Sequence, residues 1–255
     1  MTGFATLLRK ELLEQWRTRR IVIVGVVFLL FGIGSPLLAK FTPEILRAVG
    51  TGLPGATIEL PPPTTADAVG QLAKNVGQLG ILIAILLAMG SVAAEKERGT
   101  AAFVLAMPAG RGAFLLAKLV ALGTTLLVAM AVAAAGAWLY TWLLFEPLPV
   151  PGFVALALLL WLELLAFAAI TFLASTAFAS QLIAGGVGFV ALVVLSIVAA
   201  FPVVGEWSPV AASGVAIDLG LGTIPSSWLP AVAGSVACVV LSAVAAWAVF
   251  RRQEL

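Results

Sequence analysis

No histidine occurs anywhere in the 255 residues, and cysteine occurs once, at Cys238. The first absence removes the commonest metal ligand and the commonest general base, so the many Ser and Thr hydroxyls lack their usual activator. The second excludes an intramolecular disulfide. Charge is scarce too: 10% of residues are Asp, Glu, Lys or Arg, against about 25% in a water-soluble domain. With 62% hydrophobic residues and a mean hydropathy of +1.15, most of this surface has to meet lipid. A net charge of +2 is too small to argue for nucleic acid. None of the five lysines (10, 40, 74, 96 and 118) follows a glycine, so the Gly-Lys-Ser/Thr end of a phosphate-cradling loop is missing. Asp67 and Asp218 stand without a partner at diagnostic spacing, and the carboxylates are too scattered for a metal site, which makes an intramembrane enzyme the weakest reading. No internal repeat is evident.

What the chain does have is apolar runs long enough to cross a hydrocarbon core of about 30 Å at about 1.5 Å per residue. Six are expected near 21–39, 77–94, 119–143, 153–178, 182–201 and 228–250. The fold class is therefore all-α, a polytopic membrane protein forming one transmembrane domain over 1–255. Twenty residues with seven charges precede the first run, so that run is expected to be retained as a span rather than removed as a secretory signal. Within 1–20, Phe4, Leu8, Leu12 and Trp16 recur at fourfold spacing, with Leu7 and Leu13 beside them, predicting an amphipathic helix lying in the membrane interface. Eleven of the fourteen basic residues fall on one side of the spans; Lys40, Arg47 and Lys74 fall on the other. The positive-inside bias then places both termini in the cytoplasm. Trp138, Tyr140, Trp142 and Trp228 suit an external aromatic belt.

On the outer side, Thr42, Pro43 and Glu44 read as a helix start after a break near Lys40, and Pro61 to Pro63 as an extended stretch. A second start at Thr64, Thr65 and Asp67 runs on into span two. Ala129, Ala133 and Ala137 form one fourfold row, and Ala131 and Ala135 a second, permitting close helix approach; packing within the subunit is the simpler use, a dimer face the other. Glu163 is the one acid clearly inside a span. A charged acid facing lipid at mid-bilayer costs roughly 2.5–3.5 kcal/mol, so Glu163 either lines a translocation pathway or makes a protonated helix-to-helix hydrogen bond.

Segment 95–112 is the polar interruption around which the rest is arranged. Glu95, Lys96, Glu97 and Arg98 alternate in sign; Gly99, Thr100 and an apolar run through Met107 follow, then Pro108, Gly110 and Gly112, a pattern of a short helix closed by a turn. Glu95, Glu97, Arg98, Gly99, Thr100, Leu105, Pro108, Arg111 and Lys118, at these spacings, resemble the segment joining spans two and three in permeases of the type 2 ATP-binding-cassette (ABC) export family. The resemblance implies a cytoplasmic coupling helix that docks on a separate ATPase. Phe103, Val104 and Met107 would fill a groove on that ATPase, Glu95, Glu97 and Arg98 would set its orientation, and Gly99 and Gly112 would act as joints, with Thr100 and Arg111 also among the ATPase-coupling residues.

It further implies a non-catalytic permease subunit in the cytoplasmic membrane of a prokaryote, binding no cofactor itself. The partners would be two copies of an ATPase subunit carrying ATP and Mg, a second permease subunit, identical or not, and the lipid bilayer. Its outer segment 202–225 would hold short helices dipping into the outer leaflet, although the residues alone fit a plain external loop equally. Two other functions remain open: a membrane subunit passing ATP-driven motion to an external partner protein, and a secondary transporter driven by an ion gradient with Glu163 as coupling acid.

Overall fold

A computed structural model describes residues 2–50, 61–99 and 110–253, and every regular element among them is helical. Helix α1 spans Thr2–Arg17 and α2 Arg20–Gly50. Helix α3, Thr65–Asn75, passes through a π-helical turn at Val76–Gly80 into α4, Ile81–Met89, and the short α5 is Ala93–Glu97. There follow α6, Arg111–Leu144; α7, Val150–Ala177; α8, Gln181–Ala199; α9, Ala212–Gly220; and α10, Trp228–Arg252. Taking α3 to α5 as one, six of these are long and apolar enough to cross a membrane. Helices are the economical answer in lipid because each backbone donor finds its acceptor within the same segment.

Helices α6 and α7 are the most enclosed spans, and α8 and α10 the least. The core lies where α2, α3, α4 and α9 close around α6 and α7, with Phe28, Leu72, Ile81, Leu126, Leu160 and Phe167 fully buried. Gly32 of α2 sits directly on the backbone of Ala133, and Gly136 of α6 against Leu29 and Ile33. Those glycines explain the first alanine row: Ala129, Ala133 and Ala137 are buried inside the subunit. Ala131 and Ala135, by contrast, face outward and floor an apolar lateral cavity of about 320 Å³ between α6 and α7, bounded by Trp138 and Phe153.

One local feature differs from the sequence reading. Helix α2 does not break near Lys40 and restart at Thr42; it runs unbroken through Pro36 and Pro43. Each proline removes one backbone donor, and the hydroxyl just before each, Ser35 and Thr42, donates to the carbonyl four residues back, Phe31 and Leu38. In α1 the row that packs on protein is Leu7 and Glu11, both buried, continued by half-buried Gln15, whereas Trp16 of the expected row is exposed. Between α8 and α10, where the sequence left short helices and a plain loop open, single 3-10 turns at Gly205–Trp207 and Pro209–Ala211 lead into α9.

The start of α3 behaves as read. Both the backbone N–H and the hydroxyl of Thr64 donate to Asp67 Oδ2 at 2.7 Å, an acidic first turn favoured by the helix dipole. At this same end of the bundle Lys40 lies 5.2 Å from the Phe145 ring centre, and Trp138 stacks on Trp142.

Candidate functional site

At the opposite end α1, α5, the first turns of α6 and α8, and the last turns of α7 and α10 converge. Helix α5 has only five residues, too few to satisfy its own first amides. Ser175, fully buried near the end of α7, supplies the missing acceptor: its Oγ takes the N–H groups of Val92 at 3.0 Å and Ala93 at 2.9 Å. The side chains of α5 then fan out in three directions. Lys96 Nζ donates to the Thr176 carbonyl of α7 and, at 2.6 Å, to Gln253 Oε1 beyond α10. Glu97 accepts from Gln181 twice, from its backbone N–H at 2.9 Å and its Nε2 at 2.7 Å, so it caps the first turn of α8. Glu95 turns toward α1 and α6.

There it joins a charge cluster. Lys118 of α6 is buried and donates to Glu95 Oε1 at 2.7 Å and to both oxygens of buried Glu11 at 3.1 Å. Lys10 closes the group at 3.2 Å from Glu11 and 3.8 Å from Glu14. Burial by itself lowers the pKa of Lys10, but the carboxylates of Glu11, Glu95 and Glu14 outweigh it and hold that ammonium above the ordinary lysine value. Gln15 of α1 meets Thr125 of α6 one turn further along. Two basic and three acidic side chains thus fasten α1, α5 and α6 to one another, with Lys118 and Glu11 shielded from water and Lys10 and Glu14 half exposed at the edge.

The far side of the polar segment is fixed just as firmly. Arg111, the first residue of α6, donates through Nη1 to the carbonyls of Arg251 at 3.0 Å and Gln253 at 3.2 Å, capping the end of α10. Phe114 stacks on Phe250 with ring centres 5.8 Å apart.

Of the residues singled out as coupling groups, Thr100, Phe103, Val104 and Met107 lie outside the described residues. Arg98 and Glu97 are exposed, and Gly99 follows α5 with φ +69, the left-handed conformation that favours glycine. Glu95 points into the protein, engaged with Lys118, so its charge is directed at the bundle rather than outward. Gly112 is not a joint: it lies inside the first turn of α6, where a Cβ would come within 3.2 Å of Trp247 Nε1, so its smallness serves helix packing. Sequence reasoning passed over Glu11, Lys96, Ser175, Gln181 and Gln253 as site residues. A usable signal was the Leu7, Glu11, Gln15 row, whose polar members recur every four residues on one face.

Glu163 stands apart from this end. It is buried on α7, opposite the π-helical turn, with Oε1 at 4.0 Å from where a Cβ on Gly77 would sit, and neither carboxyl oxygen has a hydrogen-bond partner among the described residues. The hydrogen bond to another helix that the sequence allowed is therefore absent there. No group of three Cys, Asp or Glu side chains suited to a metal occurs among the described residues.

Residues 5–218 match the family model described as ABC-2 family transporter protein. The chain is 28% identical over 259 residues to the uncharacterized transmembrane protein YxlG of Bacillus subtilis, covering 100% of this chain and 99% of that one. It is 33% identical over 127 residues to the probable ABC transporter permease protein NosY of Pseudomonas aeruginosa, covering 49% of this chain and 40% of that protein. With NosY of Stutzerimonas stutzeri the identity is 31% over 153 residues, covering 60% and 48%. A family match across most of the length, together with six apolar helices, means that this chain belongs to the ABC-2 transporter family and is a multi-pass membrane subunit of an ABC transporter.

Proposed function

We propose that the end of the bundle holding α1, α5 and Gln253 faces the cytoplasm, that segment 95–112 docks there on a separate ATPase subunit, two copies of which serve a pair of permease subunits, and that ATP-driven motion of that segment moves a substrate outward. The charge distribution supports the orientation: the basic residues of α1, α5, the start of α6 and the end of α10 gather at this end. The observation that carries the coupling is the fan of contacts from α5. A rigid five-residue helix bonded to α7 through Ser175 and Lys96, to α8 through Glu97, and to α1 and α6 through Glu95 cannot be displaced without displacing those helices. In this reading Arg98, Glu97 and Arg111 set the approach of the ATPase by charge, and Phe103, Val104 and Met107 supply the apolar contact. A second permease subunit completes the pathway, seated on the poorly enclosed apolar faces of the bundle.

The unpartnered carboxyl of Glu163 favours one other reading, a transporter driven by an ion gradient through that acid. Co-purification separates the two. The chain is expressed with a candidate ABC ATPase, and co-elution together with mutual stimulation of ATP hydrolysis is the expected result. No association with any ATPase of the host, and uptake or efflux that follows an imposed ion gradient, would favour the second.

A further inference from the structure

Both flanks of the coupling segment are tied to one short stretch, the turn that ends α10. On the near flank Lys96 Nζ donates to Gln253 Oε1 at 2.6 Å, while Gln253 Nε2 donates to the carbonyls of Thr176 at 3.1 Å and Ala177 at 3.4 Å. On the far flank Arg111 holds the Gln253 carbonyl at 3.2 Å and that of Arg251 at 3.0 Å. The same turn places Phe250 against Phe114 and under Lys96, whose Nζ is 5.8 Å from the ring centre. One amide side chain therefore accepts from α5 and donates to the last carbonyls of α7, and its own backbone accepts from the start of α6.

We propose that Gln253 is a positioning residue: with Phe250 it clamps the two flanks of segment 95–112 at a common point on the last span, so that α10 is carried along whenever the segment moves. The proposal rests on the coupling reading above and adds to it a route into a span that α5 does not touch through Glu95 or Glu97. The chemistry suits the task. A glutamine amide is neutral, so it offers a donor and an acceptor at once, and it brings no countercharge of its own to Lys96.

Hydrogen exchange on the purified full-length chain, with no ATPase present, tests the clamp. Gln253→Ala is expected to speed exchange about fivefold at the amides of Arg98 and Gly99 on one flank and Phe114 on the other, as loss of shared hydrogen bonds implies, with the α6 and α7 core unchanged. A second polypeptide, Lys96→Cys with Gln253→Cys and Cys238→Ser, is compared before and after a short bismaleimide crosslink, and the crosslink is expected to restore protection on both flanks. Unchanged exchange at Gly99 or at Phe114 in Gln253→Ala overturns the proposal, as does a crosslink that protects only its own flank. Because the ATPase is absent, this result is independent of the co-elution that decides the coupling reading itself.

Discussion

Lys118 and Glu95 approach to 2.7 Å although they stand 23 positions apart, Glu95 at the start of the coupling segment and Lys118 beyond its end. Their bond draws the two flanks of that segment together on the side facing α1, where Glu11 holds Lys118 from below. Removing the lysine leaves two carboxylates facing each other with little water. Lys118→Met should therefore destabilise the protein by about 3 kcal/mol, in the range found when one partner of a buried pair is deleted. Glu95→Gln should cost less, because Glu11 still neutralises the ammonium. Thermal unfolding in detergent gives the order; a Glu95→Gln loss equal to that of Lys118→Met would show that the cluster is not shared in this way.

Ser175→Ala should cost about 2 kcal/mol. Its hydroxyl oxygen is the acceptor for two amides at the start of α5, and a buried donor left unsatisfied costs roughly 1–3 kcal/mol. Ser196→Ala, which removes an exposed hydroxyl bonded only within its own helix, serves as the control and should change stability by less than about 0.5 kcal/mol. Equal melting temperatures for the two variants would argue against the cap.

Gly188→Val should separate α8 from its neighbours. A Cβ at Gly188 would meet the Thr171 hydroxyl of α7 and lie 3.1 Å from Ile85 Cγ2 of α4, and overpacking of this kind costs typically about 1–3 kcal/mol. Gly186→Ala, with nothing within 4 Å of the added atom, should be silent. Comparing the two melting temperatures checks the packing directly.

Glu163→Leu should raise the melting temperature, since it replaces a buried carboxyl that has no partner among the described residues with apolar volume. If Glu163 belongs to the pathway, Glu163→Gln should abolish transport by the assembled complex at normal expression. Transport at the parental rate in Glu163→Gln would remove it from the pathway.

The six spans were legible because a bilayer demands runs of about 20 apolar residues, and every run has its helix. Boundaries set by proline were not: Pro43 looks like a helix start, and only the structure shows α2 continuing through it and through Pro36. The site was half legible. Local grammar exposed the alternating charges of 95–98, but what each charge touches is decided by partners as remote as Gln181 and Gln253, up to 157 positions away. Spacing within one segment carries no information on such pairs. The same limit turned Gly112 into a joint, since nothing near it in the chain announces Trp247.

Helix α8 is held in an unequal manner. Through its length only Ala184 and Gly188 are buried; its start hangs on Glu97 and its far portion on the Ser208 hydroxyl, which donates to the Leu195 carbonyl. Among the spans it has the smallest buried share. Under the proposed coupling, a displacement of Glu97 would therefore be passed through Gln181 to the span that has the least interior packing to hold it in place.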